Sequence, residues 1–288
     1  MRTETKRRVN SMAILKNAIM TAEVDPKGAT VQKLYCGDVC VAQNGFIAGR
    51  FANRIARAEL PLNGKIYHLA KNENENILHG GPGGFQTRTW EETVLGDAAA
   101  EYRLVSEDGD QGFPGRMEVT VRYELTENSW KISYEAVCDQ DTAINLTNHA
   151  FFNLNGVETP LFGTHSIAMA ADSTLDIDAE LIPTGKLCPV EGTRFDLRQG
   201  RVFDGLYDHC FVLNGRECGV PAAVAQGAAL RMEVFTDQPA MQLYNLDTFF
   251  CLESQAYPDA VHYPQFPSAI LKAGEVFRTA TEYRFTKK

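Results

Sequence analysis

Between Met117 and Leu125 the apolar residues fall on every second position: Met117, Val119, Val121, Tyr123 and Leu125, with Glu118, Thr120, Arg122 and Glu124 between them. A period of two is that of a strand with one face buried and the other in water. Thr126-Glu127-Asn128-Ser129 then supplies turn residues, and Trp130, Ile132, Tyr134 and Ala136 resume the alternation against Lys131, Ser133 and Glu135. A hairpin is predicted, because a helix would space its apolar residues by three and four. A second hairpin runs from Leu60 to Leu69 with Asn63-Gly64 at its tip, a pair that tolerates the positive φ angles of a tight turn. Leu230 to Phe235 and the terminal stretch from Val276 to Phe285 read as further strands. Only Ser11 to Ala22 offers a helical candidate. Many short strands joined by Gly- and Pro-containing turns imply an all-β sandwich or barrel. A sandwich of 288 residues can form one unit, and no linker-like shift in composition divides the chain. A single domain over residues 1–288 is the expectation.

Charge narrows the partners. The formal net charge is -9, which argues against a nucleic-acid partner, since phosphate binding needs clustered cations. The one basic cluster, Lys6-Arg7-Arg8, reads as a solvated tail. Seven cysteines at scattered spacing, with no Cys-x-x-Cys, read as reduced thiols of a cytoplasmic protein. Cys36 and Cys40 lie close together but lack further His or Cys ligands to complete a metal site, so no metal is expected. Lys16 and Asn17 interrupt the apolar stretch from Met12 to Met20, making it a poor signal-peptide core. No run approaches the roughly 18 apolar residues of a membrane span, so no membrane partner is expected.

Four segments carry polar residues that a plain strand does not need. They are Gly49-Arg50-Phe51-Ala52-Asn53-Arg54-Ile55-Ala56, Asn76-Ile77-Leu78-His79-Gly80-Gly81, Leu146-Thr147-Asn148-His149-Ala150-Phe151-Phe152-Asn153-Leu154, and Phe250-Cys251-Leu252-Glu253-Ser254-Gln255 leading to Pro258-Asp259-Ala260. In these segments, and in this order, the sequence resembles the aldose 1-epimerase (galactose mutarotase) family. Leu181-Ile182-Pro183-Thr184-Gly185 and Tyr207-Asp208-His209 match more weakly, so the resemblance runs from about Gly49 to the C-terminus. It implies a galactose mutarotase-like β-supersandwich and a cofactor-free isomerase that exchanges the α and β anomers of a free sugar. It implies Glu253 as general base and His149 as general acid, with Asn53, Arg54, His79, Asp208 and Gln242 contacting the sugar. Trp90 or a phenylalanine is a candidate for stacking on the sugar ring. The assembly is expected to be a monomer or homodimer.

The chemistry asks for such a set on its own terms. Opening a cyclic hemiacetal removes a proton from the C1 hydroxyl and delivers one to the ring oxygen, tasks that suit a carboxylate and a protonated imidazole. Taken alone, His149 beside Phe151 and Phe152 would read as a satisfied core histidine. Glu253 in an apolar strand needs a function or an ion pair, because an unpaired buried carboxylate is costly. Arg54 could instead be a structural ion-pair partner, Asn53 a turn residue, and Asp208 a partner of His209. His68, His165 and His262 carry no assigned role, and Glu282 reads as solvated.

Two other functions compete. A non-catalytic sugar-binding protein would not need both His149 and Glu253. A glycoside hydrolase or lyase would pair Glu253 with a second carboxylate such as Asp208. The chain departs from the family pattern before Gly49, which matches poorly. It also departs between Gln242 and Glu253, where Tyr244-Asn245-Leu246-Asp247 replaces a longer covering loop. A shorter rim implies a more open cleft and leaves the identity of the sugar open.

Overall fold

The computed structural model describes residues 6–7, 12–215 and 219–288. Two ten-stranded sheets dominate it, and every strand pairing is antiparallel. Among the described residues the only helical pieces are four 3-10 turns of three residues each. One sheet is centred on Met117–Thr126, Ser129–Cys138 and Val276–Lys287. The other runs through Val39–Gly45, Phe151–Phe152, Phe250–Gln255, Ala240–Asn245 and Asp208–Leu213 as central neighbours.

The alternation read from the sequence is the alternation of burial. Met117, Val119, Val121, Tyr123 and Leu125 are buried on one strand, and Trp130, Ile132, Tyr134 and Ala136 on its partner, with Leu125 opposite Trp130. Trp130 stacks on Tyr283 at 5.3 Å between ring centroids, and Tyr283 meets Phe152 of the other sheet at 5.0 Å. Each such side chain contributes about 1.5–3 kcal/mol by leaving water, so this layer welds the two sheets together. The second hairpin pairs Glu59–Leu62 with Lys65–His68 around Asn63 and Gly64, whose φ angles of 52° and 74° are those a two-residue hairpin turn requires.

The helical expectation for Ser11 to Ala22 fails. Ala13–Lys16 and Met20–Asp25 are antiparallel strands, with Ala13, Leu15, Met20, Ala22 and Val24 buried. Asn17 makes the reversal: its Oδ1 accepts the backbone N–H groups of Ile19 and Met20, an Asx turn in place of a helical one. Ser11 lies outside the described residues. The backbone of Lys6–Arg7 is not a free tail, since it pairs with Glu91–Val94 at a sheet edge; Arg8 lies outside the described residues.

Strand alternation also places the polar motifs. Leu243 and Leu252 point into the core between the sheets, so Gln242, Tyr244, Cys251 and Glu253 face the opposite side. Above that side a smaller apolar cluster, including Phe51, Ile55, Ile77, Phe113, Tyr257 and Phe266, supports the loops that carry the first two motifs.

Candidate active site

A cavity of about 340 Å³ opens on this face, and all seven residues singled out in the sequence line it: Asn53, Arg54, His79, His149, Asp208, Gln242 and Glu253. Phe46, Leu78, Phe151 and Tyr244 complete its wall. A wider hollow of about 430 Å³ lies over the other sheet. Its arginines, Arg103, Arg122 and Arg278, are already paired with Glu101, Glu124 and Glu135, and it holds no buried acid–base pair.

Glu253 sits on the cavity floor. It is 2% exposed, and its Oε2 has no hydrogen-bond partner. Burial pushes its carboxyl up to about 8; the nearby Asp208 adds to the shift and Arg54 opposes it. Asp208 is held by Gln242, whose Nε2 donates to Asp208 Oδ1 at 2.5 Å. Gln242 stands directly across from both Glu253 and Cys210, so strand register alone brings Asp208 and Glu253 to one place. The carboxylate of Asp208 is therefore committed to Gln242 and not to His209, whose Nδ1 accepts the backbone N–H of Asp208 instead.

His149 Nε2 lies 3.5 Å from Glu253 Oε1. Its ring is stacked on Phe46 at 4.9 Å, and its Nδ1 meets Cys251 Sγ at 3.6 Å. Its backbone N–H donates to Phe46 O, which fixes the segment against the Val39–Gly45 strand end. Burial pulls the imidazole down to about 4. The opposite shifts set the proton count of the pair. Between about pH 4 and 8 it holds a single proton, and without a ligand burial favours the neutral arrangement, carboxylic acid beside imidazole.

His79 completes the centre, with its ring 5.4 Å from that of His149 and nearly perpendicular to it. Its Nδ1 accepts the backbone N–H of Asn53 at 3.1 Å. Burial first, then His149 and Arg54, hold it well below the usual histidine range, so the ring is neutral. With Nδ1 an acceptor, Nε2 carries the hydrogen and is a donor. His79, His149 and Glu253 are close enough to chelate a divalent cation. The tautomer argues against it, since His79 presents an N–H and not a lone pair.

The loops are shaped for this. Asn53 and His79 both adopt positive φ, 63° and 50°. Asn53 accepts the His79 N–H through its carbonyl, and its Oδ1 accepts the N–H of Arg54. Gly80 follows at φ 79°, and a Cβ there would lie 1.9 Å from the carbonyl oxygen of Gly49. Glycine is thus required for the first two motifs to approach each other.

Arg54 is anchored by Glu73, which accepts from Nε at 2.6 Å and from Nη2 at 2.9 Å. Arg54 is therefore the ion-pair partner of a carboxylate and lines the cavity as well. Glu73 is absent from the residues suggested by sequence. It sits in Lys71-Asn72-Glu73-Asn74-Glu75-Asn76, which reads as a solvated polar run. Trp90 does not reach the cavity: it is buried against Phe85, to whose carbonyl its indole donates. The aromatic walls are Phe46, Phe151 and Tyr244. His262 bonds Asp259 outside the cavity, and His165 is a buried structural residue whose Nε2 accepts the N–H of Leu154. Glu282 is half-buried, bonded to Ser129 and Arg284, rather than freely solvated.

Comparison with known proteins gives a consistent result. A family model described as Aldose 1-epimerase matches residues 12–284, so the similarity begins well before Gly49. Galactose mutarotase of Homo sapiens is 39% identical over 269 residues, covering 84% of this chain and 78% of the relative. Aldose 1-epimerase of Escherichia coli (strain K12) is 34% identical over 275 residues, covering 84% and 79%. Among solved structures, the GalM/aldose epimerase homologue from C. elegans superposes with a TM-score of 0.90 at 25% identity, covering 97% of this chain and 99% of that one. Galactose 1-epimerase from Lactobacillus acidophilus NCFM superposes at 0.86 and 24%, covering 99% and 98%.

Proposed function

The chain belongs to the aldose 1-epimerase family and is an isomerase of the anomeric centre of aldoses, and on that premise we propose that Glu253 and His149 carry the reaction on a free hexose such as galactose or glucose. The observation that carries this reading is the 3.5 Å approach of His149 Nε2 to Glu253 Oε1 inside a sugar-sized cavity.

The proton count of the pair matches the chemistry. Ring opening needs carboxylate and imidazolium: Glu253 takes the C1 hydroxyl proton, His149 gives one to the ring oxygen, and the C1–O5 bond breaks to leave the aldehyde. The pair is then carboxylic acid and imidazole, the same arrangement that burial favours. Rotation about C1–C2 presents the other aldehyde face. Glu253 then protonates the carbonyl oxygen as His149 withdraws the proton of the attacking hydroxyl. One proton suffices throughout, shifted between two groups. A sugar hydroxyl donating to the orphan Oε2 of Glu253 favours the carboxylate and moves that proton to His149.

The remaining groups position the sugar. His79 offers its Nε2 hydrogen, Arg54 a charge oriented by Glu73, and Asp208 an acceptor held by Gln242. A hydrolase reading lacks support, because Asp208 is tied to Gln242 while the group facing Glu253 is an imidazole. A pure sugar binder would have no use for a buried carboxyl with a free oxygen against a histidine. The reading extends to a monomer or homodimer without a nucleic-acid partner, in a reducing compartment such as the cytoplasm. The six described cysteines, all free, support the last point. No helix among the described residues is long and apolar enough to cross a membrane.

Two-dimensional NMR exchange between the anomers of galactose and of glucose tests the proposal. The protein is expected to accelerate exchange over the spontaneous rate. Its kcat/KM should be bell-shaped, falling below about pH 4, where the pair gains a second proton, and above about pH 8, where it loses its only one. Exchange at the spontaneous rate for both sugars, or a rate indifferent to pH across that range, would remove the assignment.

A further inference from the structure

We propose that Cys251 is a positioning residue for the acid–base pair: its sulfur accepts the Nδ1 hydrogen of His149 and so leaves Nε2 as the nitrogen that exchanges a proton with the sugar. The proposal rests on the anomer-exchange reading and gives a task to a side chain that this reading does not use.

Cys251 and Glu253 are two residues apart on the Phe250–Gln255 strand, so alternation turns both toward the cavity side, about 7 Å apart along the chain. One imidazole spans them. His149 Nε2 lies 3.5 Å from Glu253 Oε1, and Nδ1 lies 3.6 Å from Cys251 Sγ. A single strand therefore engages both nitrogens of the ring. The ring's other neighbours are Phe46, stacked on it at 4.9 Å, Phe151 at 4.9 Å and Tyr244 at 6.2 Å. His79 stands perpendicular at 5.4 Å, with its own Nδ1 committed to the N–H of Asn53. Turning the imidazole over about its Cβ–Cγ bond would set ring carbons against both the carboxyl and the thiol. The two contacts together define one orientation.

The reaction needs one ring nitrogen whose hydrogen stays and one whose hydrogen comes and goes. On opening, Nε2 gives its proton to the ring oxygen; on closure, Nε2 takes one back from the attacking hydroxyl. It can do so only if the hydrogen left on the neutral ring is on Nδ1, and the tautomer is set by the bond which that nitrogen makes. A buried N–H needs an acceptor, and Sγ provides one in the neutral and the charged state of the ring alike. Thiol sulfur is a weak acceptor, so it orients the hydrogen without drawing the proton away from Glu253. Burial first, then Glu253 and Asp208, hold the thiol well above its ordinary range, so Cys251 stays uncharged. A carboxylate in its place would bring a further anion beside Glu253 and favour a lasting imidazolium, which leaves closure without a base. The main-chain carbonyl of His149 acts in the same sense as the sulfur, raising the ring's pKa against burial. A carbonyl can only accept, and Nδ1 is the nitrogen nearer the main chain.

Heteronuclear NMR of the histidine ring nitrogens reads the tautomer in the unaltered protein. Between about pH 5 and 7, where the pair holds one proton, the His149 signals, assigned by their loss in His149→Gln, are expected to show hydrogen on Nδ1 and none on Nε2. Kinetics of anomer exchange on galactose and glucose complete the test. Cys251→Ala should lower kcat about tenfold with KM changed less than about twofold, as expected when a bond to the proton-transfer group and not to the sugar is lost. Cys251→Ser, which restores a hydroxyl acceptor, should return kcat to within about threefold of wild type. Thermal denaturation of both variants separates positioning from packing, because a thiol that only fills space would lower Tm on truncation and spare kcat. A bare Nδ1 in the wild type, an alanine variant within about twofold of the wild-type kcat, or equal losses in the alanine and serine variants would each overturn the role of Cys251 and leave the mutarotase reading standing. No acceleration of exchange by the wild type would bring down both.

Discussion

Glu253→Gln is expected to lower kcat/KM for anomer exchange by roughly 10²- to 10⁴-fold, the range for a positioned proton-transfer group, while making the protein more stable. The activity loss follows from the pair chemistry: an amide can neither take the C1 hydroxyl proton nor return it, and His149 is left without the partner that completes the one-proton cycle. Cavity shape is preserved, so KM should move far less than kcat. Retention of more than a tenth of the wild-type kcat/KM would show that the base lies elsewhere.

The stability gain has a sign fixed by linkage. In the fold the Glu253 carboxyl is raised to about 8 from an ordinary value of 4.5. As pH rises between these values the unfolded chain releases this proton while the folded chain keeps it, so folding is progressively disfavoured. Glutamine carries no such penalty. The variant should match wild type near pH 4 and gain about 1–3 kcal/mol by pH 8, a rise in Tm of about 2–4 °C per kcal/mol. Thermal denaturation of both proteins at pH 4, 6 and 8 reads this directly. A wild type that gains on the variant as pH rises would mean that Glu253 is satisfied in the fold. A carboxyl that costs stability fits the proposed role of Glu253, in which a sugar hydroxyl donates to the oxygen that no protein group reaches.

These effects show where the sequence is legible. Alternation in Met117 to Ala136 fixes strands because each residue's neighbours in the chain decide its face. The strands of four and six residues around Asn17 are too short to establish a period, and the Asx turn that separates them is visible only once its hydrogen bonds are. Five of the seven residues singled out stand in the four polar segments, and Asp208 in a weaker match, so their convergence could be expected from the resemblance; Gln242 stands in none of these stretches and is placed by strand register. Glu73 could not, because its role arises from a loop laid against Arg54 and not from its surroundings in sequence. The proton arrangement of the Glu253–His149 pair was equally hidden, since burial sums over atoms from distant segments. The resemblance names Arg54 but is silent on Arg50, the other arginine of Gly49-Arg50-Phe51-Ala52-Asn53-Arg54: one lines the cavity, and the other does something quite different.

Arg50→Ala should destabilise the protein by about 3–5 kcal/mol, the loss expected when a buried charge bonded through both terminal nitrogens is removed and its partners are stranded. Arg50 is 2% exposed and is not among the residues that line the cavity. Its Nη1 donates to the carbonyls of Pro114 and Gly115 at 2.9 and 3.0 Å, and its Nη2 to Ser106 Oγ at 2.7 Å and Ser106 O at 3.1 Å. The guanidinium thus ties together the two ends of the connection between the Ala99–Ser106 and Met117–Thr126 strands, and alanine would leave those acceptors buried without this donor. Lysine keeps the charge but not the fork, and a single ammonium cannot reach both ends of the connection in the same geometry. Arg50→Lys should therefore recover less than half of the loss. Urea denaturation measures both variants, and the readout that separates Arg50 from Arg54 is activity at low temperature. Folded Arg50→Ala should keep a KM within about threefold of wild type, because the side chain holds the wall and not the ligand. A KM raised tenfold or more, with stability unchanged, would place Arg50 in the site after all.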